Sequence, residues 1–168
     1  MIRRARGDEL EILQEVERAA GAPFREVGMD LIADDDPPSI SELAEFQRAG
    51  RAWVHVDDRD RPVAYLLADV VDGCAHIEQV SVRPDHARQG RGRELIDAVD
   101  DWARGRGLRG LTLTTYADVP WNAPYYQRLG FRILADDELA EGLRTIRKDE
   151  AVRGLDMWPR VAMFRELP

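Results

Sequence analysis

Cysteine is almost absent from this chain of 168 residues, in which Cys74 is the only one. One thiol cannot form an internal disulfide or a multi-thiolate metal site, and such a chain is typical of a reducing, cytoplasmic compartment. Long apolar runs are missing too, because the longest purely apolar stretch is the short segment from Val63 to Ala68. The opening residues MIRRARGDEL lack the apolar core of a signal peptide. These absences predict a cytoplasmic protein that does not span or bind a membrane.

Acidic residues outnumber basic residues in this chain. Lys and Arg number 24 against 32 Asp and Glu, which gives a formal net charge of -8. Binding to nucleic acid requires a broad basic face that displaces counterions, so we predict no nucleic-acid partner. The acidic balance instead favours a cationic small molecule, drawn in by the field over the clefts.

Hydrophobic periodicity predicts alternating strands and helices. Strands are predicted at 2–5, 52–58, 61–73, 74–82, 108–116, 131–134 and 159–167, and helices at 10–20, 41–49, 90–104, 122–130 and roughly 136–152. The first half of this order is mostly antiparallel, and a right-handed β-α-β crossover follows it. We therefore expect a single α/β (α+β) domain over residues 1–168, with the helix at roughly 136–152 as an addition before the last strand.

The segment 88–93, RQGRGR, gathers three arginines and two glycines directly before an apolar helical pattern. A Walker A loop is excluded, because the chain contains no Gly-Lys pair, and a dinucleotide fingerprint fails because position 95 is leucine. Glycines let the main chain approach a ligand, and the first turn of a helix favours an anion. The pattern indicates an anion site, although a tight solvated turn with incidental arginines has the same residues.

The surroundings of this segment resemble a known family. The stretch VSVRPDHARQGRGRELI is similar to the acyl-coenzyme A signature of the GNAT superfamily of N-acetyltransferases, and PYYQRLGF is similar to its second landmark. The order of elements matches as well, and the resemblance is strongest over residues 75–131. It implies a mixed central sheet of about seven strands flanked by helices. One departure is Ala87, which stands where the family usually has Gln or Arg.

The resemblance also implies acetyl-CoA as co-substrate and a set of residues that bind it. The main chain of one strand would receive the pantetheine arm, as if the arm were an added strand; these residues are Val80, Ser81 and Val82. The following loop would hold the pyrophosphate with Arg88, Gln89, Gly90, Arg91, Gly92 and Arg93. Asn122 stands where the family often has an asparagine in contact with the coenzyme.

Direct attack of an amine on a thioester needs a proton acceptor for the amine and a donor for the leaving thiolate. Strand alternation puts His76 and Glu78 on one face just before the coenzyme strand, and the resemblance implies a base or relay at both positions. A core histidine and an ion-paired carboxylate would give the same pattern. The resemblance also implies that Tyr126, four residues before Gly130, protonates the thiolate. A packed core tyrosine is the alternative.

The other histidines and the cysteine suggest no further chemistry. His55 and His86 stand alone, so we interpret both as structural or solvated and predict no metal. Cys74 lacks a clear base partner, which disfavours a covalent acyl intermediate on it.

The acceptor is open at this stage. The segments 23–39 and 136–160 would shape its pocket by the resemblance, and the second could form a lid or a homodimer contact. We expect an acetyl-CoA-dependent N-acetyltransferase acting on a primary amine of a small molecule, or of a peptide, in a ternary complex. The alternative is a non-catalytic acyl-CoA-binding or regulatory domain.

Overall fold

A computed structural model describes residues 1–167 of the chain. These residues form one mixed sheet of seven strands: β1 (Ile2–Arg4), β2 (Ala52–Val56), β3 (Pro62–Val71), β4 (Cys74–Val82), β5 (Gly110–Tyr116), β6 (Arg132–Ile133) and β7 (Arg160–Glu166). The order in the sheet is β1-β2-β3-β4-β5-β7-β6. Strands β4 and β5 run parallel, whereas β7 is antiparallel to β5 and to β6. The predicted mixed sheet flanked by helices is confirmed.

The described residues also form six α-helices: α1 (Leu10–Gly21), α2 (Asp30–Ala33), α3 (Ile40–Arg48), α4 (Arg91–Gly105), α5 (Ala123–Arg128) and α6 (Glu141–Val152). Ser39 precedes α3, and its hydroxyl oxygen accepts a hydrogen bond from the main-chain N–H of Glu42 at 3.1 Å. The capping pattern of the sequence is thus present in the fold. Short helix α2 and a 3-10 turn over Ala22–Val27 lie in a segment that the sequence indicated as loop.

Helix α6 begins later than the predicted boundary near residue 136. Residues Asp136–Glu138 form a separate 3-10 turn, and the helix starts at Glu141. The Asp72 carboxylate sets this start, since it accepts the N–H groups of Gly142 at 2.9 Å and Leu143 at 3.0 Å. A carboxylate from outside the helix therefore satisfies the first-turn donors, and periodicity within the helix does not reveal it.

The chain packs as two compact units. The first unit contains Met1–Ala68 and Gln79–Val99. Its antiparallel strands β2 and β3 carry apolar side chains that share one buried core with residues of α1 and α3. This core consists of Ala5, Leu10, Leu13, Val16, Leu43, Ala44, Ala52, Val54, Val56, Tyr65 and Leu67.

The second unit contains residues 69–78 and the chain from Asp100 onward. In it the start of β4 pairs with β5, Ala75 lying opposite Leu111, and β5 continues into the antiparallel pair with β7. Strands β3 and β4 both contribute residues to each unit. One domain over residues 1–168 stays a prediction, and its last residue, Pro168, lies outside the described residues.

Candidate active site

The end of β4, in the first unit, carries the residues expected to receive a pantetheine arm. Val80 and Val82 are partly buried, and Ser81 is buried. The main chain stays in register just beyond the strand, because the Arg83 N–H donates to the Val63 carbonyl at 3.0 Å. The three residues lie in sequence on a strand that leads directly into the arginine-rich loop.

That loop turns through two residues with left-handed backbone conformation. Arg88 has a φ of 61° and Gly90 a φ of 76°. A β-carbon added at Gly90 would meet no atom within 4 Å, so glycine is needed here for its backbone angle and not for space. Ala87, Arg88, Gln89 and Gly90 are all exposed. The loop thus presents its main chain to solvent directly before α4.

The first turn of α4 offers main-chain donors. The earliest hydrogen bond of the helix runs from the Glu94 N–H to the Gly90 carbonyl at 2.9 Å. The N–H groups of Arg91, Gly92 and Arg93 precede it and have no partner inside the helix, as in any first turn. Alignment of peptide dipoles over 15 residues adds partial positive charge at this end. The arrangement can hold an anion such as a pyrophosphate.

The arginines of the loop differ in their surroundings. Arg88 and Arg93 are exposed, whereas Arg91 is partly buried and hydrogen-bonded on both edges of its guanidinium. Its Nη1 donates to His55 Nδ1 at 2.9 Å, and its Nε and Nη2 donate to Gln89 Oε1 at 3.3 and 3.2 Å. The sequence interpretation of His55 as structural or solvated missed this contact, because β2 and α4 are far apart in the chain.

A polar cluster on the same unit joins α1 to β4. The Glu17 carboxylate accepts hydrogen bonds from the hydroxyls of Tyr65 at 2.8 Å and Ser81 at 2.5 Å, and from Gln79 Nε2 at 3.1 Å. Burial raises the pKa of Glu17 despite these hydrogen bonds. Sequence reasoning did not find this carboxylate, since at helical spacing it looks like a solvent-facing residue of α1.

In the second unit, His76 is buried on β4. Its imidazole is 2% exposed, and its Nδ1 lies 2.9 Å from the Thr112 hydroxyl on β5. Burial lowers the pKa of His76 to about 4, because a charged imidazole would lose its hydration. The ring is therefore neutral at neutral pH. Glu78, two residues further along β4, is exposed.

Helix α6 is tied to β5 and β7 by a buried carboxylate. Glu150 is 8% exposed; its Oε2 lies 2.5 Å from the Thr114 hydroxyl and 3.1 Å from Arg160 Nη2. Burial by itself would raise the pKa of Glu150, but Arg160, Thr114 and Arg147 together lower it. Thr114 shares a face of β5 with Thr112, so the additional helix covers the face toward which His76 points.

Two further expected site residues, Asn122 and Tyr126, lie at the N-terminus of α5 and within it. Asn122 directly precedes the helix, and its carbonyl accepts the Tyr126 N–H at 3.0 Å. Asn122 Oδ1 is buried and finds no hydrogen-bond partner within residues 1–167. Tyr126 is 7% exposed and packs edge-on against Phe131, with ring centroids 5.9 Å apart. Burial, followed by the neighbouring Tyr125, raises the pKa of Tyr126, so its hydroxyl keeps its proton at neutral pH.

An open cavity of about 540 Å³ lies elsewhere in the first unit, beside the β2–β3 turn, and contains none of the expected site residues. Two of its acidic side chains stabilise the turn and the residues beside it. Asp57 Oδ1 accepts the N–H groups of Arg59 and Arg61, and Asp60 pairs with Arg3 and Arg6. We assign it no function.

The loop before α4 has the geometry of an anion site, and comparison with known families identifies the class of protein. A model described as the acetyltransferase (GNAT) family matches residues 11–131. The chain therefore belongs to the GNAT acetyltransferase family.

Solved structures share the fold. A GNAT-family acetyltransferase from Staphylococcus aureus Mu50 aligns with a TM-score of 0.76 at 14% identity, covering 100% of this chain and 99% of that one. The ribosomal-protein-S18-alanine N-acetyltransferase of Escherichia coli aligns with a TM-score of 0.66 at 20% identity, covering 99% and 93%.

N-acetylglutamate synthase from Neisseria gonorrhoeae, solved with coenzyme A and N-acetyl-glutamate, aligns with a TM-score of 0.75 at 21% identity. The alignment covers all of this chain but 35% of the synthase, so this chain spans about a third of its length. At these identities the likeness concerns the fold alone.

Within residues 1–167, no group of three or more His, Cys, Asp and Glu side chains is placed to hold a metal ion. Over the same residues, no helix combines the length and the apolar character needed to cross a membrane.

Proposed function

We propose that the protein transfers the acetyl group of acetyl-CoA to a primary amine of a small molecule, or of a peptide, by direct attack in a ternary complex. The observation that carries this proposal is the turn at Gly90, which presents the first-turn main-chain donors of a long helix at the end of the loop that follows β4. Membership of the GNAT family supplies the reaction class.

Coenzyme binding would use the residues that the sequence indicated. The main chain of Val80, Ser81 and Val82 would hold the pantetheine arm, and residues 88–93 would hold the pyrophosphate. Asn122 fits this assignment, because its buried Oδ1 has an unused acceptor that an amide N–H of a ligand would satisfy. Bound acetyl-CoA would supply the thioester that is attacked. That relatives such as the N. gonorrhoeae synthase were solved with coenzyme A supports the same assignment.

Removal of the amine proton is assigned to Glu78 and His76, directly or through water. An amine resembling lysine is mostly protonated at neutral pH, so a proton acceptor is needed. Glu78 is the exposed carboxylate on β4, and exposure suits contact with an incoming amine. With a pKa of about 4, His76 is a weak base that stays neutral, so it fits a relay or an orienting role better than that of a sole base.

Tyr126 is assigned as the donor to the departing thiolate. Its raised pKa keeps the phenol protonated at neutral pH, as a hydrogen-bond donor must be. The relatives named above support an amine acceptor in general terms, since one is a synthase solved with N-acetyl-glutamate and the other an alanine N-acetyltransferase. The particular acceptor is a matter for experiment.

The test is thiol release from acetyl-CoA across a panel of amino acids, polyamines, amino sugars and short peptides. We expect turnover on at least one amine, and a fall of kcat by about 100-fold in Tyr126→Phe, the size typical of a lost general acid. Tyr125→Phe is the matched control and should retain activity within about twofold.

The outcomes separate the competing functions. Coenzyme A binding without turnover on any amine would support the non-catalytic binding domain instead. No coenzyme A binding at all would contradict both.

A further inference from the structure

Hydrogen bonds join His55 on β2 to two residues at the start of α4. No step of the proposed reaction uses these bonds. His55, on β2, has a side chain only 7% exposed. Its Nε2 lies 2.7 Å from Glu94 Oε2, and its Nδ1 lies 2.9 Å from Arg91 Nη1. Both ring nitrogens therefore contact the first turn of the helix that follows the arginine-rich loop.

The partners determine the protonation of the imidazole. A guanidinium can only donate, so Nδ1 must be the unprotonated nitrogen that accepts from Arg91. The proton then lies on Nε2 and is donated to the Glu94 carboxylate, which can only accept. A neutral His55 with its proton on Nε2 satisfies both contacts at once, and no other form of the ring does so.

The same contact restrains the loop. Arg91 uses one edge of its guanidinium for His55 and the other for Gln89, whose side chain lies on the far side of Gly90. The guanidinium thus bridges the residues that flank the left-handed turn at Gly90. Holding Arg91 therefore also holds the peptide groups that would contact a pyrophosphate.

We propose that His55 is a positioning residue for coenzyme binding, which fixes Arg91 and through it the turn at Gln89–Gly90. This inference rests on the proposed coenzyme site. It assigns His55 no contact with the coenzyme and no part in proton transfer to the amine.

Two substitutions separate the two contacts. In His55→Asn the amide oxygen takes the place of Nδ1 and can accept from Arg91, whereas in His55→Gln the amide nitrogen reaches toward Glu94 instead. The measurement is calorimetric binding of coenzyme A to the full chain, together with KM and kcat where an acceptor amine is known. We expect Kd and KM for the coenzyme to rise about tenfold in His55→Gln, with kcat little changed, and to stay within about threefold in His55→Asn.

His86→Asn is the matched control, because His86 lies in the 3-10 turn just before the loop and pairs with Asp85 at 3.9 Å. It should keep the coenzyme affinity of the natural protein.

A double-variant cycle protects the test against poor folding of one variant. Arg91→Met should weaken coenzyme binding at least as much as His55→Gln does, and the double variant should be no weaker than Arg91→Met. Equal affinities of His55→Gln and His55→Asn, or additive losses in the cycle, would overturn the inference. Failure of the natural protein to bind coenzyme A would instead contradict the proposed function.

Discussion

At the scale of single residues, burial alters the chemistry of the titratable groups more than the sequence indicates. His76 and Tyr126 are both closed off from water, and burial moves both toward their neutral forms. Burial raises the pKa of Glu17 and so favours the neutral form of its carboxyl group as well. The spacing of His76 and Tyr126 relative to the coenzyme signature was predictable from the sequence. Their degree of burial was not, since it depends on which strands and helices pack beside them.

His76→Asn tests the buried imidazole through stability. The folded state holds the pKa of His76 at about 4, against 6.5 for an ordinary histidine, so the folded state binds fewer protons. Its contribution to stability is complete above pH 6.5 and is lost as the pH falls toward 4, by about 3 kcal/mol in all.

The asparagine can keep the hydrogen bond to Thr112 but does not titrate. The free energy of unfolding, measured in urea from neutral to acidic pH, should therefore fall more steeply for the natural protein than for the variant. Parallel loss in the two proteins would contradict the burial of His76.

Glu17→Gln should show the opposite dependence on pH. Burial raises the pKa of Glu17 above its usual 4.5, so the folded state binds this proton more tightly than the unfolded chain does. The natural protein should then lose stability relative to the glutamine variant as the pH rises from about 4.5 through the raised pKa.

The measurement for Glu17→Gln is the difference in urea midpoints of the two proteins across that range. Glu11→Gln is the matched control, because Glu11 is exposed on the same helix. Gln14→Glu is unsuitable, because the Gln14 side chain donates a hydrogen bond to the Pro38 carbonyl. A difference in urea midpoints that does not change with pH would show that the Glu17 carboxyl is hydrated.

At the scale of elements, the turn into α4 is the part of the fold on which the coenzyme site depends. Its glycine was visible in the sequence as a candidate for close approach to a ligand. The structure gives a more specific reason, because the φ of 76° at Gly90 is one that residues with a β-carbon adopt only at a cost.

Gly90→Ala should therefore destabilise the protein by about 1–2 kcal/mol, although the added methyl group meets open space. It should also weaken coenzyme A binding, since the turn would relax toward negative φ. Gly105→Ala is the matched control within α4, where alanine should stabilise by about 0.5–1 kcal/mol. Thermal unfolding and calorimetry measure both effects. Equal stability of the two variants would argue against the left-handed turn.

At the scale of the whole molecule, the question is whether the two compact units unfold together. Strands β3 and β4 each supply residues to both units, so neither unit keeps all of its strands if the other unfolds. We expect one cooperative transition in which far-ultraviolet circular dichroism and tryptophan fluorescence coincide, as for a single domain of this size. Two separated transitions would show that the units are independent domains.

The sequence by itself determined the order of the strands and of the longer helices, the sheet of about seven strands and the coenzyme signature. Those features depend on local periodicity, on capping residues such as Ser39 and on short-range motifs, which are all written in contiguous stretches. The capping of α6 by Asp72, the contact of His55 with Arg91 and the cluster around Glu17 came only from the tertiary structure. Each joins residues that are 36 or more positions apart, and only packing decides which distant residues meet.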